Sequence, residues 1–439
     1  MTDRRSKTGF ATRRQFLTAT AVTPVVARTG AALAQTPDPA ALIRQDLERY
    51  IGFGEKRSGG AGDNACGDWM EQSLADLGFE TQRQSFSAPF FEPRNCTLSA
   101  EGGEAHVWAQ PIVVPTPPEG LTAPLVRVDA QGQTSHALSG AIALIDLAHA
   151  RWSSMFWSGV ADPVRAAFAA GARACVIITN GPSGKIIALN TDGRDPLYEA
   201  PIALLAPEDA APFLAAAHRA SSGRLTLTGV KGRRPAFNLM GRLDRGAGRW
   251  LVISTPRSGW FTCAGERGGG VAAFLHMARW ATRHAPGHDL LFVCNSGHEY
   301  QYLGAEELLR DHAPPPEQTD FWLHLGANLA ARDWHDSVGG LQPLPGTDSQ
   351  RYLVVSPSLL PAARASFRGL AGLSAPYSSD ELSAGELSNV LAAGYRNVAG
   401  VFGVHRYHHV REDDARCVSP DAVAETSFAF QRLLQEALR

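Results

Sequence analysis

WLVISTPRSGWFTCAGERGGGVAAFLHMARWATRHAPGHDLLFVCNSGHEYQYLGA, residues 250–305, decides how the chain is built. The apolar run WLVIST (250–255) breaks off into a polar, glycine-rich loop, VAAFLHMARWAT (271–282) follows with helical spacing, and DLLFVC (289–294) is a second apolar run ending in a polar loop. A strand that is apolar at nearly every position has both faces buried, and such strands alternating with helices form an α/β sheet covered on both sides. The same texture recurs in FNLMGRL (237–243), FWLHL (321–325), YLVVS (352–356) and NVAGVF (397–402).

Upstream of this core the texture changes twice. PDPAALIRQDLERYIGF (37–53) and DNACGDWMEQSLADLGF (63–79) repeat apolar residues at helical spacing and read as two helices. From about residue 90, short strands alternate with proline-rich turns such as PIVVPTPPEG (111–120). Within this segment GAIALIDLA (140–148) and ACVIITN (174–180) read as strands, DPVRAAFAAGA (162–172) as a helix, and PIALLAPEDAAPFLAAA (201–217) as a strand followed by a helix. The expected organisation is an N-terminal helical part over 35–90, an insert over 91–234 and an α/β domain over 235–439.

A chain of 439 residues needs more than one small core, and 44% hydrophobic with 19% charged residues is a soluble globular composition. A net charge of −2 gives no electrostatic reason to bind nucleic acid or an anionic membrane, so a compact substrate is the expected partner. Residues 1–34 have a basic start, the pair Arg13-Arg14 followed by Gln15, Phe16 and Leu17, a mildly apolar middle and Ala32-Leu33-Ala34 at the end. That order reads as a twin-arginine signal peptide, recognised by the twin-arginine export machinery, which places the mature protein in the periplasm or outside the cell. No other window has the long uncharged run of a membrane span. The six cysteines (66, 96, 175, 263, 294 and 417) form no C-x-x-C motif; Cys175 and Cys294 lie in apolar strands and read as buried thiols, and pairing among the six is left open.

Four loops follow apolar strands: PRSGWFTCAGERGGG (256–270), NSGHEYQYLGA (295–305), GANLAARDW (326–334) and GVHRYHHVREDDA (403–415). Catalytic residues of α/β folds gather on loops just beyond strand ends, so these four are expected to meet in one pocket. GERGGG lacks the Lys-Ser/Thr ending of a phosphate-binding loop and the glycine order of a dinucleotide fold, and no Gly-x-Ser-x-Gly elbow supports a serine hydrolase.

At these loops the chain resembles the M28 family of zinc-dependent aminopeptidases carrying an inserted protease-associated (PA) domain. GAIALIDLA with AAFAAGARACVIITNGPSG (166–184) resembles the PA core. ERGGGVA (266–272) stands where the family has Asp-Asn-x-Ser-Gly-Val-Ala, GHEYQYLGA (297–305) where it has Gly-Glu-Glu-x-Gly-Leu-x-Gly-Ser, SSDELSAGE (378–386) near its Ser-Asp segment, and YHHVREDDA (407–415) where it has Tyr-His-Thr-x-x-Asp-Thr. The resemblance implies an M28-type mixed sheet flanked by helices, with a mainly β PA insert.

It also implies a ligand set: Glu266 at the bridging position, Glu299 as the glutamate ligand and His409 as the final histidine. The family's His-x-Asp loop reads Pro256-Arg257-Ser258 here and its later Asp falls near Gly326, so one of the two metal subsites has lost its own ligands. Two carboxylates and a histidine leave an open position on a single zinc, as in a catalytic site. Glutaminyl cyclases, relatives of the aminopeptidases, also use one zinc. His298 replaces the family's general base, and an imidazole can move a proton near neutral pH. Arg267 or Arg257 is then available for a substrate carboxylate. His324 is two residues before Gly326 on the same strand face, and reads as a supporting residue or an extra ligand. Asp380 and Asp413 read as groups that orient neighbours, His405 and Tyr407 as pocket lining, and His408 as solvent-facing or supporting.

The resulting expectation is an exported zinc-dependent hydrolase of a peptide or small amide, the metal polarising the carbonyl and activating water while His298 shuttles the proton. Two alternatives stand beside it. In one, Arg267 neutralises Glu266 or pairs with Glu299, leaving a catalytically inactive ligand-binding protein. In the other, the scaffold serves a cyclase or a non-peptide hydrolase.

Overall fold

The computed structural model describes residues 38–134 and 136–439; the export segment expected over 1–34 lies outside them. Arg351–Val355, Val398–Gly403, Thr319–Leu325, Trp250–Pro256, Asp289–Asn295 and Ser222–Leu243 lie side by side in that order within a 14-stranded sheet. The middle four are mutually parallel and the outer two run antiparallel to their neighbours, a mixed sheet as expected. Successive side chains of a strand point to opposite faces. Leu251 and Ile253 accordingly join one core with helices Pro39–Gly52, Ala61–Ala75, Gly269–His284 and Pro420–Ala437, while Trp250 and Val252 join another with Leu308 and Leu387. Burial on both faces is what the continuous apolar runs required.

The 91–234 segment is attached through sheet hydrogen bonds rather than a linker. Strand Glu80–Ala100 pairs antiparallel with Ser222–Leu243 from Glu80↔Arg242 to Ala100↔Gly223, bulging between Pro93 and Asn95. The expected boundaries near 90 and 234 fall inside this ribbon, where Phe90 faces Gly232. Beyond it, Leu121–Val128, Ile142–Asp146, Ala174–Ile178 and Ile202–Leu205 form a parallel set. Helix Ser158–Ala169 packs on one face of that set through Val160 and Val164, and helix Ala211–His218 on the other through Phe213. The segment therefore contains two helices besides its strands.

All six cysteines are free and buried. Among the described residues no helix is long and apolar enough to cross a membrane. The parallel register aligns the strand ends that feed the site: Asn295 lies opposite Pro256, and His324 opposite both Ser254 and Gly400. Helix Gly269–His284 begins against these ends. A Cβ on Gly270 would sit 2.9 Å from the Leu325 carbonyl oxygen and 3.2 Å from Thr255 Oγ1, which explains the glycines of GERGGG by close packing.

Candidate metal centre and cleft

Glu266 and Arg267 lie on a π-helical turn, Ala264–Gly268, entered through Cys263 in a left-handed conformation (φ 55°). Such turns recur at functional sites because they push side chains out of the regular helical spiral. Asp413 anchors the turn by accepting from the amides of Gly265 (2.7 Å) and Glu266 (3.0 Å). Its carboxylate meets a helix start, where unpaired N–H groups favour negative charge. Glu266 is buried, with Arg267 Nη2 2.6 Å from its Oε1. Burial alone would raise the Glu266 carboxyl; Arg267, His409 and His408 outweigh it and hold the group well below its usual range. Beyond the ion pair, no hydrogen bond from the described residues reaches either Glu266 oxygen, nor Arg267 Nε and Nη1.

His409 faces the same carboxylate. Its Nδ1 lies 2.9 Å from the Ala188 carbonyl oxygen, which can only accept, so Nδ1 carries the proton. In the neutral ring Nε2 is then a lone pair, 3.2 Å from Glu266 Oε1. Two acceptors that close repel one another unless a proton or a metal cation lies between them. His408 contributes a third: its Nε2 is 3.3 Å from Ser153 Oγ, its Nδ1 has no partner, and burial followed by His409 keeps the ring well below its ordinary pKa, hence neutral. Ligand atoms of Glu266, His408 and His409 lie within 4.8 Å of one another, all three residues buried. His408 is therefore buried rather than solvent-facing, the first of the two places expected for it. The left-handed turn at His409 (φ 58°) stacks the two adjacent rings at 4.0 Å, so neighbours in sequence present themselves together.

Glu299, the expected glutamate ligand, lies outside that cluster. Its Oε1 accepts from the Ser58 amide and its Oε2 from Ser258 Oγ, both at 2.7 Å. Burial raises its pKa in spite of these donors. Ser258, where the family resemblance implied an acid, thus ties Glu299 to its own loop, and the Ser58 amide ties it to the loop around residue 58.

His298 lines a cleft of about 640 Å³. Its Nδ1 is 3.0 Å from Glu386 Oε1, and Glu386 Oε2 accepts from Asn295 Nδ2 at 2.9 Å. Burial and then Arg267 lower the His298 pKa, so the ring is neutral, with Nδ1 protonated toward the carboxylate and Nε2 as its basic nitrogen. Sequence reasoning missed Glu386. Asp380, chosen from the same SSDELSAGE stretch, is exposed, its backbone amide bonded to Ser378 Oγ at 3.2 Å, and orients nothing in the cleft. Glu386 is the first residue of helix Glu386–Ala392, directly after Gly385, which lines the cleft.

The other expected residues divide. His324 lines the cleft with Nδ1 3.0 Å from Ser254 Oγ, and burial lowers its pKa to about 4. Arg267 also lines the cleft. Arg257 does not serve a substrate carboxylate: it is fully buried, with Nε 3.0 Å from Asp63 Oδ1 and its Nη atoms donating to the carbonyls of Cys294 and Phe237. His405 is buried behind the Glu266 turn, its Nε2 3.3 Å from Asp413 Oδ2, and Tyr407 packs on Trp334 at 4.7 Å; neither lines the cleft. Ser153, Phe156 and Trp157 complete the wall from the 91–234 segment, so that segment shapes the site.

No family model matches the sequence, and no curated protein matches it. Solved structures do. BSAP, a zinc aminopeptidase from Bacillus subtilis, is 18% identical with a TM-score of 0.68, covering 91% of this chain and 95% of its own. The peptidase M28 precursor from Shewanella amazonensis SB2B gives 18%, 0.69, 91% and 93%. An aminopeptidase from Aneurinibacillus sp. strain AM-1 gives 18%, 0.63, 91% and 93%. A 91% share is too large to omit the 91–234 segment, so the likeness extends through it. The chain has an M28-like aminopeptidase fold.

Proposed function

We propose that the protein hydrolyses an amide or peptide bond with the help of one zinc ion held by Glu266, His408 and His409. The observation that carries this reading is the convergence of buried ligand atoms: the Glu266 carboxylate, whose Oε1 meets Arg267 and His409 Nε2 and whose Oε2 has no hydrogen-bond partner, and one ring nitrogen each of His408 and His409, all within 4.8 Å of one another. Two histidines and a carboxylate are a donor set of catalytic zinc sites and leave a coordination position open. The Ala188 carbonyl on His409 Nδ1 is the usual outer partner that fixes such a ligand's tautomer. Zinc in this set supplies a Lewis acid that polarises a carbonyl and makes water more acidic.

The remaining chemistry belongs to the chain. Glu386 holds His298 with Nδ1 protonated, so Nε2 accepts a proton from the attacking water and returns it to the leaving amine. Peptide substrates are supported by the aminopeptidases of like fold. The twin-arginine pattern of residues 1–34 supports work in the periplasm or outside the cell, and the GAIALIDLA and ACVIITN strands support a PA-type insert. A screen of amino-acid amides and dipeptides with zinc-loaded protein tests the reading: turnover that disappears in His298→Ala sustains it, and equal turnover in that variant removes His298 from the mechanism.

One observation favours a second reading. Arg267 already gives Glu266 a cation at 2.6 Å, and if it stays there the protein is a metal-free binder with an inactive cleft. Metal content separates the two.

A further inference from the structure

We propose that Arg267 is the receptor for a substrate carboxylate, released from Glu266 when a divalent cation takes over that side chain; this rests on the metal reading above. The fork of Arg267 carries five N–H donors, yet its recorded ionic contact is with Glu266, and Nε and Nη1 are buried without partners although the residue lines the cleft. A cation arriving at Glu266 removes even that contact, because the two positive charges repel.

Among the described residues, the acids around the cleft already have hydrogen-bond partners. Glu299 is held by Ser58 and Ser258, Glu386 by His298 and Asn295, Asp413 by the amides of Gly265 and Glu266, and Glu306 by Arg194. A divalent ion with one carboxylate and two neutral imidazoles keeps a net positive charge, and Arg267 adds another in the same buried place. A carboxylate from outside matches the bidentate geometry of the fork. The substrate class is therefore a peptide or acylated amino acid with a carboxylate close to the scissile bond, with Phe156 and Trp157, both exposed at the cleft, offering apolar surface to the rest.

Metal and carboxylate then bind with positive coupling, each raising the affinity of the other by the same factor. Calorimetric titration of zinc into the metal-stripped full chain reads this directly, alone, with N-acetylglycine, and with its uncharged analogue N-acetylglycinamide. The expected result is zinc binding tightened on the order of tenfold by the carboxylate and unchanged by the amide. Arg267→Met binds zinc at least as tightly as wild type, since the competing cation is gone, and shows no tightening. Should Arg267→Met fail a thermal-melt check of folding, Arg267→Lys takes its place and shows a reduced effect, having charge without the fork. Zinc binding with no response to N-acetylglycine, or an equal response in the arginine variants, overturns the proposal and leaves the metal site standing. Absence of zinc binding in every variant overturns the metal reading and the exchange with it.

Discussion

His298 Nδ1 lies 3.0 Å from Oε1 of Glu386, a buried carboxylate whose other oxygen accepts from Asn295. An ionised carboxylate can only accept, so Glu386 selects the tautomer that leaves His298 Nε2 basic. Glu386→Gln allows an amide N–H to face Nδ1 and so favours the opposite tautomer. The expected result is a kcat lower by roughly 10²-fold, with KM and zinc stoichiometry little changed. Unchanged kcat would mean that the pair only holds the loop.

Arg257 has a structural role that a stability measurement can isolate. Arg257→Met leaves Asp63 as a buried, uncompensated charge, for which a loss of about 3–5 kcal/mol is expected in urea unfolding. Asp63→Asn added to it restores part of the loss. A single-variant loss under about 1 kcal/mol contradicts this assignment.

His324 makes stability depend on pH. Burial lowers its pKa from 6.5 to about 4, so between those values the unfolded chain binds a proton that the folded chain does not. Stability therefore falls as pH drops through 6.5 and the loss is complete near 4, amounting to at most about 3 kcal/mol from this residue. Glu386, whose pKa is held low, adds its own loss below its ordinary value of 4.5. His324→Gln should flatten the upper part of the curve in chemical denaturation between pH 7 and about 4. An identical curve for variant and wild type contradicts the burial argument.

The glycines of GERGGG make a packing prediction. Gly270→Ala places a methyl against the Leu325 and Gly326 carbonyls, at 2.9 and 3.0 Å, and is expected to cost about 1–3 kcal/mol. Gly287→Ala, with nothing within 4 Å, is the control and should be nearly neutral. Equal melting temperatures for the two would remove the close-approach explanation.

The sheet was legible because Trp250–Pro256 and Asp289–Asn295 are buried at every position, which writes itself as an uninterrupted apolar run. The ribbon was not, since Glu80–Ala100 and Ser222–Leu243 are solvent-facing for much of their length and pair across more than a hundred residues. In the site, Glu266, His298 and His409 were singled out through the family resemblance of their loops, each of which follows an apolar strand. The engagement of Glu299 depends on Ser58, 241 residues away, and the role of Glu386 on a partner 88 residues away, so no local pattern carries either. The burial of His408 was not legible because a left-handed backbone at the next histidine leaves no mark of the kind that glycine leaves.

The account turns on which side chains hold the metal. Elemental analysis of zinc-loaded protein, with Glu266→Ala, His408→Ala, His409→Ala and Glu299→Gln alongside, tests that directly. The prediction is about one zinc per chain in wild type and Glu299→Gln, lost in the other three, in keeping with a three-residue catalytic donor set. No zinc in wild type, or zinc kept in His408→Ala and lost in Glu299→Gln, would contradict it.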